Sequence, residues 1–493
     1  MKIGAFKAPI FMFLLQVYVD YVIILYDFLK EKGEEMVSKT IAAISTAPGI
    51  GGIGIIRMSG EDCFEILEKI FDPIKKEPIE SIKGYTMKFG FIHDKEGNKI
   101  DEVLVSFFKA PKSYTTENMC EINSHGGLVI MNQILELCLR NGAELAEPGE
   151  FTKRAFLNGR MDLSQAEAVI DVINSKTDKE AKVSVKQLEG NLSNKIENIR
   201  KKVISMMADI EATIDYPEYD IEEVTNAQIL KILDEVDKEL GSLEKSFYNG
   251  KIIRDGISTA IIGRPNAGKS SLLNMILNEE RAIVTDIEGT TRDTIEEFIQ
   301  IEGVPLKIID TAGIRNAQDE VEKIGVNKAI EIAKNSDIVI AIFDVSREFN
   351  EEDEKILDLL KEKTAIILLN KIDLNQNKIN MEKIKSLGKT VIETSMKNGE
   401  GIEKLYSEIS RLFKLEEIAN DGELIVSNTR HKNIILNAKE NVKKARETIE
   451  MSMPIDIISG NLKEILEELG KITGETVTDD VIKEIFSKFC LGK

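Results

Sequence analysis

Gly263-Arg264-Pro265-Asn266-Ala267-Gly268-Lys269-Ser270 fits the phosphate-loop pattern G-x-x-x-x-G-K-[ST], and no other stretch constrains the fold as strongly. The pattern works only between a strand and a helix. The apolar run Ile257 to Ile262 and the helix-compatible Ser271 to Leu277 supply that setting. Glycines let the backbone wrap a phosphate chain with its N–H groups facing the oxygens, and Lys269 adds a point charge for the outer phosphates. The Ser270 hydroxyl is placed for Mg²⁺. Asn266, Ala267, Gly268 and Ser271 complete the cradle, so the chain is expected to bind a nucleoside triphosphate.

Later motifs select the base. Asp310-Thr311-Ala312-Gly313 closes a second apolar run, with a carboxylate for the magnesium shell and a glycine N–H for the γ-phosphate. Asn370-Lys371-Ile372-Asp373 closes a third. The Asp373 carboxylate can accept from both N1–H and the exocyclic amine of guanine, a pair that adenine lacks. Between the first two motifs, Gly289-Thr290-Thr291-Arg292-Asp293 is a polar loop with a threonine, Thr291, available to close over Mg²⁺ and the γ-phosphate, and Thr285, Asp286, Ile287 and Glu288 just before it are expected nucleotide contacts. Four motifs in this order have the separations of a small GTPase.

With 493 residues the chain has room for about three domains. Its net charge of −20 repels polyanions, so RNA contact needs a local basic patch or a basic partner. Cys63, Cys120, Cys138 and Cys490 form no C-x-x-C pair, which fits a reducing cytoplasm, and the dispersed His93, His125 and His431 do not suggest a metal cluster. His125 and the first three cysteines read as turn or packing residues. Pro9 to Tyr26 is apolar but holds Gln16 and Asp20, a weak membrane or signal segment, and residues 1–35 read as an extension ahead of a start at Met36.

The expected organisation is multidomain α/β plus all-α. Residues 36–153 alternate strands and helices as an α+β domain; 154–250 are helical, with Leu163, Ala166, Val169, Ile170 and Ile173 on one face; 251–415 form a doubly wound, mostly parallel GTPase domain; 416–493 return to helix. Helix on both sides implies a GTPase inserted into one helical domain.

Ile41 to Arg57, Ser124-His125-Gly126-Gly127, Pro148 to Asp162 and the terminal Phe489-Cys490-Leu491-Gly492-Lys493, with the inserted GTPase, resemble the MnmE (TrmE) family of tRNA uridine modification GTPases from about residue 37 onward. The resemblance implies a cytoplasmic homodimer that works with the flavoprotein MnmG, in a heterotetramer or larger complex, on the wobble uridine of certain tRNAs. A carboxymethylaminomethyl or aminomethyl group would be placed on C5, with 5,10-methylenetetrahydrofolate giving the carbon, 5-formyltetrahydrofolate as its binding analogue, and FAD held only by the partner. It implies K⁺-stimulated hydrolysis, with Asn266, Thr285, Ile287 and Thr290 around the cation; otherwise Asn266 merely tolerates a turn. Ile314 stands where a water-orienting glutamine would, and among Asp319, Glu320 and Glu322 the resemblance assigns catalysis to Glu322. Arg292 and Arg315 read as phosphate ligands or surface charges. Ser395-Met396-Lys397 matches the loop against guanine, Met396 departing from the usual alanine.

By the same resemblance Arg57, Glu121, Arg160 and Lys493 match the family's folate contacts; on the residues alone each reads as an ordinary surface ion. Cys490 is either a reactive thiol near Lys488 and Lys493 or a small apolar residue docking the tail. Two other function classes share the GTPase motifs: a GTP-switched ribosome-assembly factor, and a membrane-associated GTPase resting on Pro9 to Tyr26 alone.

Overall fold

The computed structural model describes residues 39–47, 49–215, 226–277, 282–283, 297–309, 330–376, 378–415 and 426–493. It divides into two compact units, residues up to Met161 with Thr478–Lys493, and Asp162–Val477.

The first unit carries a seven-stranded sheet of β1 (Ile41–Ile44), β2 (Gly51–Ser59), β3 (Phe71–Pro73), β4 (Thr86–His93), β5 (Lys99–Phe108), β6 (Met119–Gly126) and β7 (Glu144–Leu145), ordered β3-β4-β5-β6-β2-β1-β7. Side chains alternate between faces along a strand. On β5, Val103, Val105 and Phe107 are therefore buried while Leu104 stays exposed. The buried face receives α1 (Cys63–Glu68) and α2 (Leu128–Arg140), whose Ile66, Leu67, Met131 and Ile134 join its core. Cys63, Cys120 and Cys138 are buried there, and burial pushes the Cys138 thiol up, away from thiolate chemistry. After α3 (Glu150–Leu157), the C-terminal helix Asp479–Phe486 belongs to this same unit, with Phe486 packed on Phe156 and Phe489. The last residues thus leave the helical stretch before them and lie with the N-terminal sheet.

The second unit opens with α4 (Leu163–Asn174), α5 (Asp178–Leu188), α6 (Asn191–Asp215) and α7 (Asn226–Asp255). It continues into a second sheet of β8 (Ile257–Gly263), β9 (Ala282–Ile283), β10 (Glu297–Ile301), β11 (Val304–Ile308), β12 (Ile338–Asp344), β13 (Ala365–Asn370) and β14 (Thr390–Thr394), with α8 (Lys269–Leu277), α9 (Glu351–Glu362) and α10 (Ile402–Phe413) among its helices. Strand order is β14-β13-β12-β8-β11-β10-β9, parallel from β14 to β11 and antiparallel beyond. Helices α11 (Thr429–Glu450) and α12 (Ile455–Thr473) follow. Helical spacing puts Ile229, Leu233, Val236, Leu240 and Leu243 on one side of α7, where they share a core with Ile435, Ala438 and Val442 of α11 and Leu462, Ile465 and Leu469 of α12. Segments before and after the nucleotide-binding sheet therefore bury their apolar faces together. No described helix is long and apolar enough to cross a membrane.

Helix α4 departs from its periodicity. The expected face of Leu163, Ala166, Val169, Ile170 and Ile173 is only partly buried: Ile173 is exposed, whereas Glu167 and Asp171 are buried beside Leu163, Ala166 and Ala168. Apolar pattern fails here because each carboxylate finds a cation inside, Glu167 at Arg430 and Asp171 at Arg254.

Nearby, burial raises the Glu180 carboxyl to about 7 from an ordinary 4.5, against the opposing Lys176 N–H. A folded value above the unfolded one stabilises at acid pH, and that contribution is lost as pH rises through about 7. Between about pH 4.5 and pH 7, Glu180→Gln should lose less of its melting temperature than the parent protein in scanning calorimetry. Equal losses would place Glu180 in contact with water.

Candidate functional site

β8 lies between β12 and β11, where the strand order turns back, and ligands of such sheets bind beyond the carboxyl ends of the strands at that point. The phosphate loop leaves β8 there and runs into α8. Asn266 takes φ 59°, in the left-handed region that asparagine enters more readily than most residues. Lys269 Nζ donates to the carbonyls of Gly263 at 2.7 Å and Arg264 at 2.8 Å, drawing the loop into a closed curve. The Arg264 side chain is turned to Asp353 Oδ2 at 2.9 Å and the Glu348 carbonyl at 3.1 Å, bracing the loop from the β12 to α9 connection. Asn266, Ser270 and Ser271 are exposed, Ala267 is buried.

Asn370 joins three motifs that are far apart in sequence. Its Nδ2 donates to the Ala267 carbonyl at 2.8 Å, and its Oδ1 accepts from Met396 N–H at 3.0 Å. With Asn370 only 2% exposed, this amide has no room to turn away. Gly268 makes the approach possible: at φ 118°, a Cβ there would stand 2.2 Å from Asn370 Nδ2. Gly268→Ala is expected to weaken GTP binding roughly tenfold or more, from backbone strain of about 1–3 kcal/mol plus the clash. Titration with a fluorescent GTP analogue measures this, and unchanged affinity would contradict the loop geometry.

The base-side residues converge as well. Asp373 Oδ1 accepts from the Ser395 hydroxyl at 2.9 Å, which orients the carboxylate. Lys371, at φ 69°, places Nζ 2.6 Å from Asp344 Oδ2. Burial alone would raise the Asp344 carboxyl, but the bonds from Lys371 and Ser346 hold it below its ordinary value. Met396 resolves its departure from the family pattern by packing its side chain into the core, 7% exposed, while its N–H faces Asn370; Lys397 is exposed. The expected contributions of Thr285, Asp286, Ile287, Glu288, Gly289, Thr290, Thr291, Asp310, Thr311, Ala312, Gly313 and Glu322, and of Arg292, Arg315, Asp319 and Glu320, lie outside the described residues.

A second constellation lies in the first unit. Arg57 on β2 and Glu121 on β6 are register partners, so their side chains emerge on one face. Arg57 Nε and Nη2 both donate to Glu121 Oε1, at 2.9 and 2.7 Å, while Nη1 donates to the Gly492 carbonyl at 3.0 Å. The chain end is further pinned where Phe151 N–H donates to the Lys493 carbonyl at 3.2 Å and Gly149 N–H to that of Cys490 at 3.3 Å. Lys493 consequently sits near Arg57, and burial together with that guanidinium charge lowers its ammonium pKa. Arg160 lies over the Tyr114 ring, 4.6 Å from its centroid, and Arg57 lies 5.6 Å from the same ring. All four residues singled out from sequence thus gather around Tyr114 and the chain end, and Cys490 is exposed beside them.

Tyr114 and Phe151 form the aromatic walls of this cluster; Tyr114, an isolated aromatic in a turn-rich stretch, escapes a reading of the sequence because it gives no periodic signal. His125 is neither buried nor a turn-packing residue: it is exposed, and its bond to Asp101 at 2.7 Å raises its pKa. Among the described residues, no group of three or more His, Cys, Asp or Glu is placed to hold a metal ion.

The chain matches the family models "MnmE helical domain" over residues 163–490 and "GTP-binding protein TrmE N-terminus" over residues 40–160. Among curated relatives, a tRNA modification GTPase MnmE of Acetivibrio thermocellus is 51% identical, covering 92% of this chain and 99% of its own. One from Clostridioides difficile is 50% identical over 93% of this chain and 100% of its own. Among solved structures, the G domain of the T. maritima FeoB iron transporter is 28% identical with a TM-score of 0.23, covering 33% of this chain and 99% of that one.

Proposed function

This chain belongs to the MnmE family of tRNA modification GTPases, and from that membership we propose that it hydrolyses GTP to drive modification of C5 of the wobble uridine in certain tRNAs. The product would be a carboxymethylaminomethyl or aminomethyl group, made in the cytoplasm together with the flavoprotein MnmG, which holds the FAD. The observation that carries the reading is the Asn370 joint, which fixes phosphate loop, guanine-reading motif and Ser395-Met396-Lys397 loop to one another.

In the nucleotide site Ser270 and Thr291 would hold Mg²⁺, and Asn266 with Thr285, Ile287 and Thr290 would hold K⁺. The exposed Asn266 carbonyl and Ser270 hydroxyl suit hard cations, which take oxygen ligands. Bound there, the cations would neutralise charge growing on the phosphates. Lys269 would meet the outer phosphates, and by the family resemblance Asp310 to Gly313 would contribute at the γ-phosphate and Glu322 would act on the attacking water, through a bridging water. Asp373 selects guanine.

Arg57, Glu121, Arg160 and Lys493 would bind tetrahydrofolate. Both guanidinium bonds fall on Oε1 of Glu121, so among the described residues Oε2 keeps its acceptor capacity for a pterin N–H. Tyr114 offers a ring face, and the cations of Arg160 and Lys493 suit a glutamyl tail. When bound, the folate supplies the one-carbon unit; Cys490 lies exposed on the adjoining tail as the candidate nucleophile. Self-association into a homodimer is supported by the apolar patch of Met87, Phe89 and Leu104 on the open face of the first sheet, where Phe89 and Leu104 are register partners.

Reconstitution tests the reading. Unmodified tRNA, purified chain, MnmG, GTP and methylenetetrahydrofolate should yield the modified wobble uridine in K⁺. Each of GTP, folate and the chain should be indispensable; product formed without this chain would refute the assignment. Cys490→Ser should abolish product and leave GTP hydrolysis intact, and full product from that variant would remove the chemical role of the thiol.

A further inference from the structure

The buried carboxylates of α4 stand one helical turn apart, and each holds a different end of the nucleotide-binding domain. Glu167 faces the segment that follows that domain. It accepts from Asn428 Nδ2 at 3.1 Å and Arg430 Nε at 2.9 Å on Oε1, and from Arg430 Nη2 and His431 Nε2, each at 2.7 Å, on Oε2. Asn428 also caps α11, accepting from Arg430 N–H at 2.8 Å, and Arg430 reaches on to the carbonyls of Lys471 and Ile472 at the end of α12. Burial would raise the Glu167 carboxyl, yet His431 and Arg430 outweigh it and hold the value at about 2, so Glu167 is a carboxylate at any physiological pH.

Asp171 faces the segment that precedes the domain. Its Oδ1 lies 2.9 Å from Nη2 of Arg254, in the last turn of α7. Two residues on, Gly256 turns the chain into β8 at φ 76°, so close to β11 that a Cβ would stand 2.6 Å from the Pro305 carbonyl. That turn has no slack, and β8 leads straight into the phosphate loop. Past α4, Lys176 Nζ lies 3.4 Å from the centroid of Phe298 on β10, and Val183 of α5 packs against the core of the nucleotide-binding sheet. One short stretch, Glu167 to Val183, thereby touches the chain before the domain, the chain after it and the sheet itself.

We propose that Glu167 and Asp171 are positioning residues for the GTPase cycle. They lock both chain crossings of the nucleotide-binding domain to α4, so that a change of bound nucleotide is passed to the α11 and α12 core through this helix. The chemistry suits a stiff connection: a desolvated carboxylate cannot let go of its paired cation without leaving charge stranded in the interior, so the contacts are kept or exchanged whole. Such elements give a coupling its discrete states. Lys176 at Phe298 and Val183 in the sheet core supply the contact through which β10 would push on the same stretch.

This proposal rests on the guanine-nucleotide reading above, and the test separates the two. Hydrogen exchange of the full chain, read by mass spectrometry over α4 and the first turns of α11, is compared between GDP and a non-hydrolysable GTP analogue. The parent protein is expected to differ between the two by at least about fivefold in exchange rate there. Asp171→Asn and Glu167→Gln, which keep shape and remove charge, should each shrink that difference below about twofold while GDP affinity stays within about twofold of the parent. A purely structural role would lower overall protection equally with both nucleotides. No nucleotide-dependent difference in the parent, or a parent-sized difference in either variant, would overturn the proposal. Should either variant no longer bind GDP, the charge-keeping Arg430→Lys or Arg254→Lys, which alters the same pair from its other side, takes its place with the same two outcomes; a parent that binds no GDP contradicts the functional reading instead.

Discussion

Asp373→Asn is expected to lower the affinity for guanine nucleotides by about 10²–10⁴-fold, the loss of two hydrogen bonds to a charged acceptor at about 1.5–3 kcal/mol each. The carboxylate is held ready to accept them, because the Ser395 hydroxyl at 2.9 Å fixes one oxygen and the Asn370 joint anchors the strand end just before the short 3-10 turn, Ile372–Leu374, that carries Asp373. The asparagine variant exposes an N–H where guanine also carries N–H, so acceptor meets donor no longer. Xanthine has a carbonyl in place of the guanine amine, and the same variant should bind xanthosine triphosphate better than GTP. Paired titrations of parent and variant with both nucleotides check this. Retained GTP preference in the variant would show that the base is read elsewhere.

Lys269→Ala should reduce GTP turnover by about 10²–10³-fold, the scale of removing one preorganised charge or donor from a transition state. Two effects combine in it. The ammonium no longer meets the outer phosphates, and the carbonyls of Gly263 and Arg264, which it holds at 2.7 and 2.8 Å, lose their donor, so the loop relaxes. The lesion is local: β8 and α8 on either side remain packed through Ile257, Ile261, Leu272 and Leu273, so thermal unfolding of the nucleotide-free protein should change little. Steady-state phosphate release with GTP tests it, and turnover within about tenfold of the parent would remove Lys269 from the catalytic machinery.

Much of this is legible in the residues because the signals are local. A phosphate loop between a strand and a helix, the Asn370 to Asp373 motif at the end of an all-apolar strand, and the helical stretches before and after the nucleotide-binding sheet each declare themselves locally. Three features do not. The Glu167 and Asp171 face of α4 defies apolar periodicity because its partners, Arg254, Arg430 and His431, come from distant parts of the chain. The Asn370 joint needs Ala267 and Met396 to arrive from separate loops, and no pattern in sequence says that one side-chain amide will serve both. The meeting of Arg57 and Glu121 with Gly492 depends on β2 and β6 pairing in register and on the last residues returning to the first sheet. Family resemblance points to Arg57, Glu121, Arg160 and Lys493, whereas Tyr114, which helps wall them in, carries no mark of its own in the sequence.

If GTP turnover by this chain serves wobble-uridine modification, mass-spectrometric nucleoside analysis of tRNA from cells lacking it will show the loss without any intermediate inference. The C5-substituted wobble uridine should disappear, return when the parent gene is restored, and stay absent with Lys269→Ala. A wobble uridine unchanged in its absence, or restored in full by Lys269→Ala, would break the link between hydrolysis and modification.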